Sequence, residues 1–165
     1  MLGIVGGEAR CNLLRCTLKL DWAIDYKSHA DARGLQAQIK ALTSGVDVYF
    51  DNVGGMVSHA VIPVINRRAW VVICGTISQY SCGLDAREMG PCFLHHMLYQ
   101  RATIQSMLAR DYVHRMDEML RSVVLWVRSG EMVAEETIVE GFMHWPATLN
   151  SLVTGDYRGK LLVKI

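Results

Sequence analysis

The sequence predicts an α/β domain built on a mainly parallel sheet with flanking helices. Two patterns and one proportion carry that expectation. Short runs of β-branched and aromatic residues alternate with stretches of helical periodicity from one end of the chain to the other. Glycine turns mark several strand-to-helix junctions, Gly6-Gly7 and Gly54-Gly55 most plainly. Across 165 residues, 51% are apolar against 20% charged, which suits one domain of ordinary size with a buried core.

The elements follow in order. Gly3 to Val5 reads as a strand, closed by Gly6-Gly7, and Cys11, Leu14 and Leu18 recur at helical spacing across Glu8 to Leu18. A short strand is expected at Trp22 to Ile24, then a helix whose face is Leu35, Ile39 and Leu42, ending near Gly45. Val46 to Phe50 is the clearest strand, and Val57, Val61 and Ile65 continue as the apolar side of the next helix. Trp70 to Cys74 is expected as a fully buried strand. Ser78 to Pro91 reads as a long loop, followed by a helix over Phe93 to Arg101 and a strand near Ile104 to Leu108. A longer helix spans Val113 to Ser129, with Met116, Leu120, Val123, Val124 and Val127 on its inner face, and Gly130 stops it. A strand at Thr137 to Val139, a helix from Pro146 to Val153 and a last strand at Leu161 to Lys164 complete the chain.

Composition narrows the function classes. Seventeen Lys and Arg against sixteen Asp and Glu leave a formal charge of +1, so neither nucleic acid nor an anionic membrane surface is an expected partner. The greasiest stretch, Ala69 to Ile77, falls short of the roughly 20 residues a membrane helix needs. No basic, apolar leader follows Met1, and the expected compartment is the cytoplasm. Five cysteines without a CxxC and six histidines without an HExxH give no disulfide framework and no metal site. The thiols are expected as small buried hydrophobes, and the adjacent His95 and His96 as surface or packing residues whose directions diverge by about 100° on a helix.

In open α/β sheets, ligands lie beyond the carboxyl ends of the strands. Four loops therefore matter: Gly6-Gly7-Glu8-Ala9-Arg10, Asp25-Tyr26-Lys27-Ser28, Asp51-Asn52-Val53-Gly54-Gly55, and Gly75 through Tyr80. Together with the stretches GVDVYFDNVGG, VVICGTISQY, the Tyr99-Gln100 pair and the closing GDYRGKLLVKI, they resemble the cofactor half of the zinc-independent medium-chain dehydrogenase/reductases. The likeness covers essentially the whole chain. Within that family it is greatest to the NADP-dependent branch of leukotriene B4 12-hydroxydehydrogenase (prostaglandin reductase) and the alkenal and curcumin reductases.

The resemblance implies a Rossmann-like fold over residues 1–165 that lacks its first strand and the glycine-rich loop following it, with the N-terminal GroES-like catalytic domain also absent. No GxGxxG or AxxGxxG precedes Gly3. In strand order 3-2-1-4-5-6 the lost strand is central, leaving a gap of roughly 9 to 10 Å flanked by unpaired backbone. A fragment or a rearranged chain is the expected consequence.

The implied function is that of an NADPH-dependent reductase of α,β-unsaturated ketones, aldehydes or quinones. The alternative, from a different class, is a truncated, inactive chain serving at most as an interaction module. Gly6 and Gly7 make room for a 2′-phosphate that Arg10 could hold, against a plain first-turn arginine, while Glu8 argues for NAD. Tyr26 is expected near the adenosine phosphate or else in a surface turn. Asn52 and Gly54 are expected at the cofactor's ribose and nicotinamide side, or else Asn52 serves turn geometry alone. Cys74, Gly75, Ser78 and Tyr80 would shape the nicotinamide wall, with strand packing the alternative for Cys74. Tyr99 aligns with a tyrosine implicated near substrate, or is a buried helix residue. Tyr157 departs from the family, which commonly carries Asn there. Relatives pair sheet edges into dimers, and the strand near Ile104 could do the same.

Overall fold

Parallel pairing organises every strand of the computed structural model, which describes residues 1–80, 90–155 and 157–165. Leu2–Val5 (β1) and Trp22–Asp25 (β2) pair in parallel, from Leu2 opposite Trp22 to Val5 opposite Asp25. Between them Glu8–Asn12 (α1) opens into a wider π-helical turn at Leu13–Thr17, so the expected single helix has two forms.

Ala32–Leu42 (α2) begins where the Asp31 carboxylate accepts the Gly34 N–H at 2.9 Å. Its residues Leu35 and Ile39, one turn apart, are wholly buried. Next come Val46–Asp51 (β3), Gly55–Val61 (α3) and Ile65–Ile73 (β4). Ile65 is not on the helix face expected for it, because a 3-10 turn at Ile62–Val64 containing Pro63 intervenes and Ile65 opens β4. Pro63 has no N–H to continue the helical ladder.

Leu94–Gln100 (α4) ends at Arg101 in the left-handed region, φ 52°, and leads into Thr103–Ser106 (β5). The strands β3, β4 and β5 form a three-stranded parallel sheet in that order, and β1 with β2 forms a separate two-stranded one. Among the described residues no strand pairs with the second edge of β1 or of β3, so the sheet divides at the position of the expected central strand.

One face of these sheets is well covered. Ile24, Leu35, Ile39, Val57, Ala60, Val61 and Val64 form a core that draws β2, α2 and α3 together, with Leu2, Ile4, Val46 and Tyr49 packed against it. Ile65, Ala69 and Val71 extend burial along β4. The opposite face differs from expectation. Trp70 is 48% exposed, and its register partner Val48 is 66% exposed, so β4 alternates between buried and open positions instead of being buried on both sides.

The chain divides into two compact units, Met1–Arg115 and Met116–Ile165. The second holds Met116–Ser129 (α5), Glu136–Glu140 (β6), Trp145–Thr154 (α6) and Lys160–Lys164 (β7), with β6 and β7 parallel. Of the positions expected to face inward on α5, Met116, Leu120, Val124 and Val127 are exposed. Periodicity sets which residues share a face, not whether that face is covered.

The cysteines also depart from expectation. Cys11 is buried, but Cys16 and Cys92 are exposed and Cys74 is half-buried; Cys82 lies outside the described residues, as does the 81–89 part of the expected loop. His95 and His96 do not diverge: their rings lie 3.8 Å apart at the start of α4. Burial, then the charge of His95, pushes the His96 imidazole down from its ordinary value. No helix of the described residues is long and apolar enough to cross a membrane.

Candidate functional site

Because the strands of each sheet are parallel, each sheet's carboxyl ends lie at one edge, and the four singled-out loops sit there in two groups. The first joins the loops after β1 and β2. Gly7 takes φ 92°, beyond the range comfortable for a side chain, and its N–H donates to Asp25 Oδ1 at 2.8 Å. The same oxygen accepts the Lys27 N–H at 2.9 Å, so one carboxylate ties both turns. A methyl group built on Gly6 would lie 3.2 Å from Tyr26 Cε1 and 2.9 Å from Lys27 Cε. Gly6 therefore has to stay bare for these side chains to close over it.

Arg10 stands half-buried on α1, just beyond the Gly7 turn. Glu8, the residue that argued for NAD, is engaged elsewhere: Arg15 holds its carboxylate at 2.6 Å. Beneath the turn, burial and then the charges of Glu8 and Asp25 push the Cys11 thiol up from its ordinary value.

The second group joins the loops after β3 and β4. Asp51, 5% exposed, accepts the Val53 and Gly54 N–H groups on Oδ1, each at 2.9 Å, and the Ser58 hydroxyl on Oδ2. Ser58 also meets the Tyr49 hydroxyl at 3.2 Å. Burial pushes the Tyr49 phenol far above its ordinary range. This buried chain fixes the turn that carries Asn52.

The neighbouring loop is laced to that turn by backbone. Cys74 and Gly75 donate to the Asp51 carbonyl at 2.8 and 3.1 Å, Ile77 to that of Asn52 at 3.2 Å, and Ser78 to that of Val53 at 3.0 Å. A methyl group on Gly75 would lie 3.2 Å from the Asn52 carbonyl, 3.5 Å from Tyr80 Oη and 3.6 Å from Asn52 Oδ1. One on Gly54, at φ 71°, would meet Ser78 Oγ at 3.3 Å. Asn52, Gly54, Cys74, Gly75, Ser78 and Tyr80 are thus one assembly, with Asn52 and Tyr80 exposed at its surface.

The described contacts join Tyr99 to neither group. It is 75% exposed on the last turn of α4, which also removes the alternative of a buried helix tyrosine. Asp25, Lys27 and Asp51 stand within the loops that the sequence marks, but their roles there do not show in it, and Ser58 lies outside those loops. The Asx-turn habit of an aspartate at a strand end could have revealed Asp25 and Asp51; the long-range partners of Lys27 and Ser58 have no sequence signal.

Known proteins resemble the chain in sequence and in fold. The chain is 36% identical over 165 residues to YfmJ of Bacillus subtilis, covering 100% of this chain and 48% of that one. It is 31% identical over 172 residues to the NADPH-dependent curcumin reductase of Escherichia coli, again covering 100% of this chain and 48% of the relative. The crystal structure of CurA from Vibrio vulnificus in complex with NADPH superimposes on 99% of the chain with a TM-score of 0.85 at 34% identity, using 48% of that protein. The chain spans about half the length of the curated relatives it matches. No family model matches it.

Proposed function

We propose, from the likeness of the whole chain to about half of an NADPH-dependent curcumin reductase and of an NADPH-bound CurA, that its strand-end loops hold NADPH for reduction of an activated carbon-carbon double bond or a quinone. The observation carrying this reading is the interlocked Asp51–Gly54 and Cys74–Ser78 pair, which keeps a bare Gly75 between Asn52 and Tyr80. A dinucleotide suits such residues because Gly75, lacking a side chain, lets oxygen atoms of Asn52 and Tyr80 come within 3.2 to 3.6 Å of its Cβ position, so that polar atoms of both loops converge.

In this reading Gly6, Gly7, Arg10 and Tyr26 take the adenosine ribose and its 2′-phosphate. A guanidinium suits a phosphate because it presents several donors in one plane. Asn52, Gly54, Cys74, Gly75, Ser78 and Tyr80 take the nicotinamide end. When bound, NADPH supplies hydride to the β-carbon of an enone or to a quinone. The protein groups orient it and stabilise the charge that develops on the substrate oxygen. Tyr99, an exposed residue of α4, is the proposed proton or hydrogen-bond donor to that oxygen. A homodimer through the free edge of β5 belongs to the same proposal, because β5 pairs only with β4 among the described residues.

Titrating NADPH against the chain, followed by nicotinamide fluorescence, tests the proposal. Saturable binding that Asn52→Ala weakens about tenfold is the expected result, the size of one lost hydrogen bond to a polar ligand. No binding at millimolar NADPH would refute it and leave the reading of an inactive interaction module.

A further inference from the structure

Lys27 is the cation that the two-turn geometry brings to the glycine turn from across the sheet edge. It follows β2, yet its aliphatic stem crosses to β1: a methyl group on Gly6 would lie 2.9 Å from Lys27 Cε and 3.3 Å from Cδ. The backbone that carries the stem is fixed, because the Lys27 N–H donates to Asp25 Oδ1 at 2.9 Å and the next residue, Ser28, donates its hydroxyl to the Asp25 carbonyl at 2.7 Å. Beside it the space is open: a methyl group on Gly7 would meet nothing within 4 Å.

The charges around that opening favour an anion on balance. Two acids are near: Glu8 is paired with Arg15, and Asp25 keeps its negative charge while its Oδ1 accepts two backbone N–H groups, so Lys27, Arg10 and Arg15 outnumber the acids by one. The described residues offer the Lys27 ammonium no acidic partner, and the side chain is exposed. Arg10 stands on α1, three residues beyond Gly7.

We propose that Lys27 supplies a second positive charge to the 2′-phosphate seat and so sets the preference for a 2′-phosphorylated over an unphosphorylated adenosine. The inference rests on the NADPH reading above and deepens it. It gives Gly6 a definite role as well: any side chain there would push the lysine stem off the turn.

The probe is adenosine 2′,5′-bisphosphate against adenosine 5′-monophosphate, each titrated calorimetrically into the chain. The expected result is that Lys27→Gln weakens the bisphosphate roughly tenfold and leaves the monophosphate unchanged, as the loss of one charge-assisted contact predicts. Lys27→Arg restores most of the bisphosphate affinity, and raising salt from low ionic strength narrows the difference between native chain and Lys27→Gln. Equal binding of the bisphosphate by native chain and Lys27→Gln would overturn the role of Lys27 while leaving the NADPH reading intact. An equal fall for both ligands would also overturn it, since the lysine would then not be reading the phosphate. Failure of the native chain to bind the bisphosphate at all would overturn this inference, and NADPH binding measured in parallel separates that outcome from failure of the wider reading.

Discussion

A phenol and a carboxylate share the hydroxyl of Ser58 at the base of the Asn52 turn, and the pair shows how one buried polar chain can set local geometry. Asp51 would be a liability if unpaired at 5% exposure, because burying a lone carboxylate is strongly unfavourable. Two backbone N–H groups and one hydroxyl satisfy it. Tyr49 resists ionisation for the same reason of burial. Its pKa is raised in the folded chain, so below the unfolded value near 10 neither state ionises and the buried phenol's contribution is fully present. As pH rises above about 10 the unfolded chain loses the proton first, and stability falls. The urea midpoint should therefore fall between pH 9 and 11 more steeply in the native chain than in Tyr49→Phe. Equal slopes would mean that Tyr49 ionises as freely folded as unfolded.

The helix α2 is where sequence pattern and packing agree most fully. Asp31 caps its first turn, Leu35 and Ile39 fill the core, and the Thr43 hydroxyl donates to the Ile39 carbonyl at 2.9 Å as the helix ends. Leu35→Ala should destabilise the fold by about 2 to 5 kcal/mol, the range for a leucine truncated in a closed core. Equilibrium urea denaturation measures it, and a loss under 1 kcal/mol would mean that the α2–α3 layer closes over the cavity. In α3 the apolar spacing ran on to Ile65, but one proline decided where the helix stopped. In α4 the helix ends with Arg101 in the left-handed region, a place more often filled by glycine and so not marked in the sequence.

Across the molecule, burial is uneven. The wholly buried aliphatic side chains Ile24, Leu35, Ile39 and Val71 all lie within Met1–Arg115, whereas β6 and β7 in the second unit keep half or more of their residues exposed. Amide hydrogen exchange should accordingly be slowest in α2, α3 and the Ala69–Val71 segment of β4, and faster in β6 and β7. Uniform protection across both units would contradict that distribution. The division of the sheet between β1 and β3 leaves each of those strands with an unpaired edge among the described residues, a local source of faster exchange.

By itself the sequence determined the order and type of the elements, the parallel α/β class and the four strand-end loops, because periodicity, glycine placement and side-chain branching act over a few residues. The four loops together carried the resemblance, with GVDVYFDNVGG followed by CGTISQY its most specific part. Only the tertiary structure decided which loops interlock, that Asp25 and Asp51 are their knots, that Lys27 crosses onto Gly6, and that Trp70, Val48 and much of α5 stay open. Those outcomes depend on which element lies beside which. Contacts between residues far apart in the chain leave no mark on local pattern, and a face that could be buried is buried only where a second layer meets it.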